Sequence, residues 1–324
     1  MKASKNNLLH HYMLMREAIR TSEAEAILNF DTFELFIRKA NNNWILYPKF
    51  LATINGTRQY TSNISTDINM FAGWLPYKNK HWPIASNKLE FKRFASTVNL
   101  PVPEYAVTQQ SSLEHVLIKR LNSSFGAQIL GPFHSATERQ LHLENGEYFE
   151  KFIEGDLLKI WYWNGQAVCM ERDSMPTVVG DGVATIGELI IRRGSQVKWL
   201  SVAEKNKLLK NSETLLTYFK VNAKTVLKKG KTQMVEFRYG SDIMHPNERK
   251  IIDIQSTPPK EILTVIEDTG IRLQAAIPQA IRTNTLFTVD AIVDKDNQVW
   301  LLEMNCNPAV HPYVYPVMAG SIVI

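Results

Sequence analysis

Two apolar runs near the C-terminus, residues 286–293 and 298–303, predict a β-hairpin, because both have strand length and a polar turn joins them. Asp290 and Glu303 interrupt these runs, and Asn305 follows the second. Acids are rarely buried without a partner. The hairpin places the two acids on paired strands, and period-two geometry turns Glu303 and Asn305 to one face. Such oxygen ligands suit Mg²⁺ carrying phosphates, and the alternative is an ordinary hairpin whose acids reach solvent.

At the N-terminus the pattern predicts one helix and one hairpin. Ser22 and Glu25 form a capping box ahead of apolar residues at helical spacing up to Ile37, so a helix is expected to end at residues 41–43. The run 44–54 then turns at Asn55-Gly56 into 57–62, which is a hairpin signal. Residues 1–85 are therefore predicted to form a small α/β domain, with no chemistry recognisable in their sequence.

The middle of the chain contains a charged residue at the end of an apolar strand. Residues 115–120 are strand-like, and Lys119 lies near their end, where an ammonium is costly to bury unless an anion meets it. The small-residue loop 122–126 follows, and its backbone N–H groups could approach a phosphate. The alternative is a lysine that reaches solvent.

Further signals predict a helix and a second hairpin. A helix is expected to begin after residue 83 and to close at residues 99–103. Residues 148–153 read as a strand that runs into a turn at Gly155. The runs 157–163 and 166–172, joined by Asn164-Gly165, then predict a hairpin.

Composition narrows the class of protein. The 324 residues are 44% hydrophobic, which indicates a globular chain, and the net charge of +5 is mild. We find no run of about 18 apolar residues, no export signal and no nucleic-acid-binding signature, so neither a membrane nor a nucleic acid is expected as a partner. Cys169 and Cys306 are isolated thiols, which suits a reducing cytoplasm. No zinc-binding, serine-hydrolase or dinucleotide-binding signature is complete.

Five segments, taken in chain order, resemble motifs of the ATP-grasp superfamily. The resemblance is closest to the ligase domain of cyanophycin synthetases and more distant to D-alanine–D-alanine ligases and glutathione synthetases, and it covers residues 83–318. The segments are Asn87-Lys88-x-x-x-Lys92, residues 115–126, residues 150–155, Glu171-Arg172 leading into Gly180-Asp181-Gly182, and Asp290 with Glu303-Met304-Asn305. Asn87 departs from the family's motif, which has aspartate there.

The resemblance implies a fold class and a domain organisation. An α+β protein with the ATP-grasp fold is expected, in which two α+β subdomains clasp ATP behind a small α/β N-terminal domain. The implied boundaries are 1–85 for the N-terminal domain, 86–155 for the small subdomain with its lead-in helix, and 156–324 for the C-terminal subdomain with the metal site. Residues 105–153 would form a small α+β lid.

The resemblance also implies which residues contact the nucleotide. Lys88 and Lys119 would neutralise the α- and β-phosphates, and the loop with Ser123 and Gly126 would close over them. Asp156 is the candidate ribose-binding acid, although Leu157 could stand in its place. The residues expected around adenine are Glu150, at the exocyclic amine, and the backbone groups of Lys151, Phe152 and Ile153.

At the reacting end, Asp290, Glu303 and Asn305 would hold one or two Mg²⁺ ions, or Mn²⁺. Arg172 and Arg238 would face the γ-phosphate or an acyl phosphate, because a planar guanidinium suits an oxyanion. The alternative for each arginine is a surface ion pair. Asn307 would contact substrate, and its alternative is a turn-forming asparagine.

The activity implied is that of an ATP-dependent, ADP-forming carboxylate–amine ligase that joins an amino acid or peptide to an amine through an acyl phosphate. The alternatives are an ATP-grasp kinase that phosphorylates a small-molecule hydroxyl, and a non-catalytic nucleotide-binding module. The expected partners are a small-molecule or peptide carboxylate and an amine, with a homodimer left open.

Overall fold

The computed structural model describes residues 8–109, 111–121, 129–138, 141–239, 241, 243 and 248–323. The helices are α1 (Leu8–Thr21), α2 (Lys88–Thr97), α3 (Ile186–Val197), α4 (Val202–Tyr218), α5 (Leu263–Ala276), α6 (Gln279–Arg282) and α7 (Val314–Ile322). The strands are β1 (Glu25–Leu28), β2 (Leu35–Lys39), β3 (Asn42–Ile54), β4 (Thr57–Thr61), β5 (Ile68–Leu75), β6 (Tyr105–Ala106), β7 (Glu114–Arg120), β8 (Leu130–Ser135), β9 (Glu147–Lys151), β10 (Gly155–Trp163), β11 (Gln166–Asp173), β12 (Thr177–Val179), β13 (Thr232–Met234), β14 (Lys250–Asp253), β15 (Leu286–Asp294) and β16 (Val299–Cys306). Among the described helices, none has the length and apolarity needed to span a membrane.

The N-terminal sheet has the strand order β1-β2-β3-β4, with β5 paired to β3 and every pairing antiparallel. The hairpin predicted at Asn55-Gly56 is confirmed as β3–β4. The helix predicted after Ser22 is wrong, because β1 and β2 occupy that stretch. In β2, Leu35 and Ile37 are buried while Phe36 and Arg38 are exposed, which is the period of a strand.

The N-terminal sheet shares its core with later parts of the chain. Helix α1 packs on α7, and Met15 and Ile19 belong to the same buried cluster as Met318. Trp161 of β10 also belongs to this cluster. Residues distant in sequence therefore bury one another's apolar surface, and the domain boundaries 1–85, 86–155 and 156–324 stay a prediction.

A four-stranded sheet of order β6-β9-β7-β8 fills the region 105–151. The predicted strands around Lys119 and Glu150 are β7 and β9, which pair antiparallel. The described part of residues 105–153 contains strands and turns but no helix, and the α+β lid expected there stays a prediction. Helix α4, from later in the chain, packs against β8.

The central sheet has the order β14-β11-β10-β15-β16 and is antiparallel throughout. Both predicted hairpins, β10–β11 and β15–β16, are confirmed. One face packs on α2 and α5, where Phe91 and Leu273 join Ile160 and Val289 in a second buried cluster. The other face forms the floor of a cavity. The predicted α+β fold class is confirmed, with antiparallel sheets.

Candidate functional site

The candidate site is a cavity of about 590 Å³ whose walls come from the N-terminal sheet, the β6–β9 sheet and the central sheet. It brings together residues from motifs that are far apart in the sequence. The predicted site residues that line it are Lys88, Lys119, Phe152, Arg238, Asp290, Glu303, Asn305 and Asn307. Ser123 and Gly126, predicted to close over phosphates, lie outside the described residues.

The β15–β16 hairpin sets the geometry of the two acids. Asp290 lies directly opposite Glu303, and the Asn305 amide donates a hydrogen bond of 3.2 Å to Asp290 Oδ2. Each acid also has its own lysine: Lys159 Nζ lies 2.6 Å from Asp290 Oδ1, and Lys88 Nζ lies 2.8 Å from Glu303 Oε2. Burial raises the pKa of Asp290. Burial would also raise the pKa of Glu303, but the ion pair with Lys88 outweighs it and lowers that pKa.

This donor set fits a divalent cation that carries phosphates. Among the described residues, no group of three or more His, Cys, Asp and Glu side chains converges in the manner of an all-protein metal cage. Two carboxylates and the amide oxygen of Asn305 form instead a partial shell of hard oxygen ligands. Mg²⁺ is usually bound by one or two carboxylates, with substrate phosphates and water supplying its remaining ligands.

Helix α2 places two lysines one turn apart in different environments. Asn87 caps this helix by accepting hydrogen bonds from the N–H groups of Leu89 and Glu90, so an asparagine serves as N-cap where the resembled motif has aspartate. Lys88, the first helical residue, reaches the cavity. Lys92, four residues later, is fully buried.

Glu150 is the shared counter-ion of two buried lysines. Lys92 Nζ lies 2.5 Å from Glu150 Oε2, and Lys119 Nζ binds the other carboxylate oxygen. Burial would raise the pKa of Glu150, but the two lysines together lower it to about 2. With both lysines protonated, the triad carries a net positive charge, and Lys119 brings that charge to the cavity wall. The carboxylate of Glu150 is thus already occupied, and its predicted contact with an adenine amine stays a prediction.

At the hinge after β9, two backbone N–H groups are engaged within the protein. The N–H of Lys151 donates to the carbonyl of Glu104, and the N–H of Phe152 donates to the carbonyl of His115. Neither N–H is therefore available to adenine in this structure, and recognition of adenine by the other backbone groups of residues 151–153 stays a prediction. A base at this hinge would have to use other groups, such as backbone carbonyls or the backbone of Ile153. The Phe152 side chain does line the cavity.

Arg172 and Asp156 lie on the face of the central sheet that points away from the cavity. Arg172 pairs in register with Leu158, which belongs to the buried cluster on the α2 and α5 side of the sheet, whereas its neighbour Glu171 pairs with Lys159. Arg172 Nε lies 2.7 Å from Asp156 Oδ2. Neither Arg172 nor Asp156 is among the described residues that line the cavity. The predictions that Arg172 faces an acyl phosphate and that Asp156 binds ribose stay predictions. The alternative of an ion pair describes Arg172.

Arg238 and Asn307 line the cavity but are held by protein groups. Arg238 Nε lies 2.8 Å from Glu236 Oε1, and its Nη2 donates to the backbone carbonyl of Asn211. The Asn307 amide accepts a hydrogen bond from the backbone N–H of Lys80 and donates one to the Lys80 carbonyl. Asn307 also has a left-handed backbone, with φ of 50°, so its geometry is that of a turn-forming clamp.

Lys159 and Arg249 are charged residues of the cavity that no sequence motif predicted. Arg249 lies 2.9 Å from Glu171 and 2.7 Å from Asp173, and the hydroxyl of Tyr239 donates to Glu171. Lys159 could have been found, because it interrupts an apolar strand in the same way as Lys119. Arg249 offered no such signal, because its two partners lie 76 and 78 residues earlier in the chain.

The N-terminal sheet also contributes to the cavity, through Arg58 and Tyr60 of β4. Behind Tyr60 lies Lys49, which is 3% exposed, with its Nζ 5.4 Å from the centre of the Tyr60 ring. Within the described part of the chain, this Nζ has no hydrogen-bond partner. Burial lowers the pKa of Lys49 to about 7.

Replacing Lys49 by methionine is expected to stabilise the protein by roughly 3 kcal/mol at pH 7. The pKa of Lys49 is about 7 in the folded chain and has the ordinary value of 10.5 in the unfolded chain. Between these two values only the unfolded chain binds the proton, so the stability of the unsubstituted protein falls as the pH drops through this window. The advantage of methionine should therefore shrink toward pH 10.

Denaturant unfolding at pH 7 and pH 10 measures this effect. Lys207→Met, on an exposed position of α4, is the control and should show no such pH dependence. An advantage of equal size at both pH values, or a loss of stability at pH 7, would show that the ammonium of Lys49 has a partner in the folded chain.

Comparison with known proteins gives similar structures only. No family model and no curated protein matches the sequence. A bifunctional glutathione synthetase from Pasteurella multocida is similar over 94% of this chain and 40% of its own, with 14% identity and a TM-score of 0.43. D-alanine–D-alanine ligase from Bacillus anthracis is similar over 74% of this chain and 66% of its own, with 11% identity and a TM-score of 0.39. An L-amino acid ligase from Bacillus licheniformis is similar over 68% of this chain and 40% of its own, with 10% identity and a TM-score of 0.35.

Proposed function

We propose that the protein is an ATP-dependent, ADP-forming carboxylate–amine ligase of the ATP-grasp superfamily, which joins an amino acid or peptide carboxylate to an amine. One observation carries this proposal. The cavity collects two lysines suited to phosphates, Lys88 and Lys119, with the three oxygen donors Asp290, Glu303 and Asn305. These residues come from three separate motifs, so their convergence was not imposed by sequence proximity.

The chemistry needs activation of a poor electrophile. A carboxylate resists attack by an amine because oxide would have to leave, whereas an acyl phosphate expels inorganic phosphate. Phosphoryl transfer from ATP to the carboxylate depends mainly on charge neutralisation and in-line placement. Bound Mg²⁺ would neutralise and orient the phosphates. The side chains of Asp290, Glu303 and Asn305 would hold it, and Lys119 would attract the phosphate chain.

The ion pairs of the site suit an exchange of partners on nucleotide binding. Lys88 neutralises Glu303 and Lys159 neutralises Asp290. If Asp290 and Glu303 held a divalent cation, the ammonium groups of Lys88 and Lys159 would become available to phosphate oxygens. The acids therefore have a counter-ion in either state, which avoids the cost of an unpaired charge in a partly buried site.

Arg249 is the guanidinium that we assign to the reacting end in place of Arg172. It lines the cavity floor, whereas Arg172 points to the opposite face. Arg249→Gln should lower amide formation by about 10²-fold, the loss typical of a missing oxyanion donor. Affinity for ATP should change far less, and Arg172→Gln should change neither quantity by more than a few-fold.

ATP affinity and amide yield are to be measured on the same preparations. Arg249→Lys keeps a positive charge beside Glu171 and Asp173, so it separates loss of the guanidinium from loss of the fold. An Arg172 variant that loses as much amide formation as the Arg249 variant would contradict this assignment.

The proposed function is tested by screening carboxylic acids against amines for ADP release. ADP should form only when an acid and an amine are both present, and amide should form in equal amount. Release of ADP with a hydroxyl compound and no amine would point instead to a kinase. Release of AMP would exclude the acyl-phosphate route.

A further inference from the structure

A concentration of positive charge lies outside the cavity, in the part of the fold that contains β12, α3, α4 and β13. Residues 177–234 contain eleven lysines and arginines and four acids, whereas the whole chain has a net charge of only +5. Between Glu213 and Glu236 there are five lysines and no acid. The positive charge of the protein is therefore concentrated in this one region, and the rest of the chain is slightly acidic.

Two segments of this region, residues 179–185 and 224–231, form one surface, which we call the basic tip. The N–H of Gly180 donates to the carbonyl of Lys231, and the N–H of Gly230 donates to the carbonyl of Gly180, both at 2.8 Å. A Cβ atom on Gly180 would lie 2.5 Å from a carbonyl oxygen of the second segment, so the two backbones are in direct contact. The lysines are thus carried on a fixed backbone, which lowers the entropy lost on binding a partner.

The single acid of the basic tip is engaged within the protein, whereas its lysines are not. The carboxylate of Asp181 accepts hydrogen bonds from the N–H groups of Val183 and Ala184, and it lies 3.2 Å from Arg192. Four exposed lysines of the tip form no ion pair with another described residue, and these are Lys224, Lys228, Lys229 and Lys231. Their ammonium groups are available to an anionic partner.

Exposed valines lie among these lysines. Val183 is 82% exposed, Val179 is 55% exposed and Val226 is 47% exposed. A Cβ atom on Gly182, the neighbour of Val183, would lie 3.8 Å from the Cβ atom of Lys229. Single exposed apolar residues are ordinary on a protein surface, but here three share one tip with four lysines. The partner of this surface should therefore offer negative charge and an apolar environment together.

The residue types of the basic tip distinguish among anionic partners. Protein interfaces favour tyrosine, tryptophan and arginine and are depleted in lysine. Nucleic acids are bound largely through arginine and through aromatic side chains that stack on bases. The basic tip contains no arginine and no aromatic residue. An anionic bilayer attracts lysines to its headgroups and takes up aliphatic side chains at the boundary with the acyl chains, so it matches both features.

We propose that the basic tip docks the protein on a membrane surface that contains anionic phospholipids, with the lysines at the headgroups and Val183 inserted below them. The expectation that no membrane is a partner rests on the lack of a spanning run and of an export signal, and a loop that rests on a lipid surface needs neither. Among the described residues that line the cavity, none belongs to the basic tip, so the inference does not depend on the proposed function.

Co-sedimentation with lipid vesicles tests the role of the lysines. Vesicles of phosphatidylcholine alone are compared with vesicles that also contain about 30 mol% phosphatidylglycerol, at low and at high salt. We expect the protein to bind only the anionic vesicles and to be released by salt. The double variant Lys228→Gln/Lys229→Gln should lower the partition coefficient by roughly 25-fold, about fivefold for each lysine. The control Lys260→Gln/Lys295→Gln removes the same charge from exposed positions outside the tip and should bind nearly as well as the unsubstituted protein.

Val183 provides a readout that electrostatic adsorption alone would not give. Val183→Phe should strengthen binding to the anionic vesicles several-fold, and Val183→Ser should weaken it several-fold, because each changes the apolar area that enters the bilayer. Ile271→Ser, at an exposed position of α5, is the control and should leave the affinity unchanged. Thermal unfolding of each variant checks that the fold is intact.

The proposal is overturned if the protein binds neither kind of vesicle or binds both alike. It is also overturned if the Lys260/Lys295 control loses as much binding as the tip variant, or if substitutions of Val183 leave the affinity unchanged. Poly-L-glutamate and duplex DNA serve as competing probes. Binding of either one that depends on Lys228 and Lys229, without binding to anionic vesicles, would assign the basic tip to an acidic polypeptide or to a nucleic acid instead.

Discussion

Replacing Glu150 by alanine is expected to lower the free energy of unfolding by about 3–5 kcal/mol, the usual result of removing one partner from a buried ion pair. Glu150 is 1% exposed and neutralises Lys92, which is fully buried, and Lys119. Without it, two ammonium groups remain in an apolar environment. Burial of the two ammonium groups and the repulsion between them would then force at least one of the two lysines to lose its proton or to move.

Denaturant unfolding measures this loss, with Glu104→Ala as the control. Glu104 pairs with Lys151 at the surface, where its side chain is 65% exposed, so its removal should cost less than about 1 kcal/mol. If both variants lost the same free energy of unfolding, Glu150 would not be the shared counter-ion that stabilises the two buried lysines.

The lowered pKa of Glu150 also predicts how the stability of the protein depends on pH. The pKa of Glu150 is about 2 in the folded chain and has the ordinary value of 4.5 in the unfolded chain. A depressed carboxyl pKa stabilises the fold above pH 4.5, and this stability is lost as the pH falls toward 2. The alanine variant should therefore lose less stability than the unsubstituted protein across that window.

The second large effect is expected from Asp290→Asn, which should reduce ADP formation by about 10³-fold or more because a metal ligand loses its charge. The protein should stay folded. The substitution would leave Lys159 without its charged partner, but it would also remove a carboxylate that lies opposite Glu303. These two changes oppose each other, so the free energy of unfolding should change by less than about 2 kcal/mol.

ADP release and thermal unfolding without Mg²⁺ measure the two quantities separately. Asp294→Asn, at the turn end of the same strand, is the matched control and should retain activity. A large drop in the melting temperature of the Asp290 variant would show that this acid stabilises the fold. Full retention of ADP release in the Asp290 variant would show that Asp290 is not a metal ligand.

The sequence was informative about the fold wherever a local signal agreed with the tertiary structure. Apolar runs joined by polar or Asn-Gly turns predicted the hairpins β3–β4, β10–β11 and β15–β16 correctly. The failure at residues 22–40 has a physical cause. The apolar residues of this stretch are spaced as in a helix. In the structure, however, they lie on β1, on β2 and in the loop between them, where Phe33 has a φ of 56°. Tertiary packing of alternate residues decided the outcome there.

The site was predicted best where burying a charge would be costly. Asp290, Glu303 and Lys119 interrupt apolar strands, and all three line the cavity. Arg172 shows the limit of this reasoning, because a difference of one residue along a strand moves a side chain to the other face. Partners from distant segments, such as Arg249 and the wall residues of β4, could not be inferred without the fold.

Transfer of oxygen-18 from a labelled carboxylic acid during ADP formation tests the proposed ligase activity most directly. If an acyl phosphate forms and an amine displaces phosphate, each released phosphate must carry one oxygen from the acid, in equal amount with ADP and amide. We expect this transfer in the unsubstituted protein and its loss in Asp290→Asn. Formation of ADP without label in the phosphate, or with phosphate retained on a hydroxyl compound, would contradict the ligase activity.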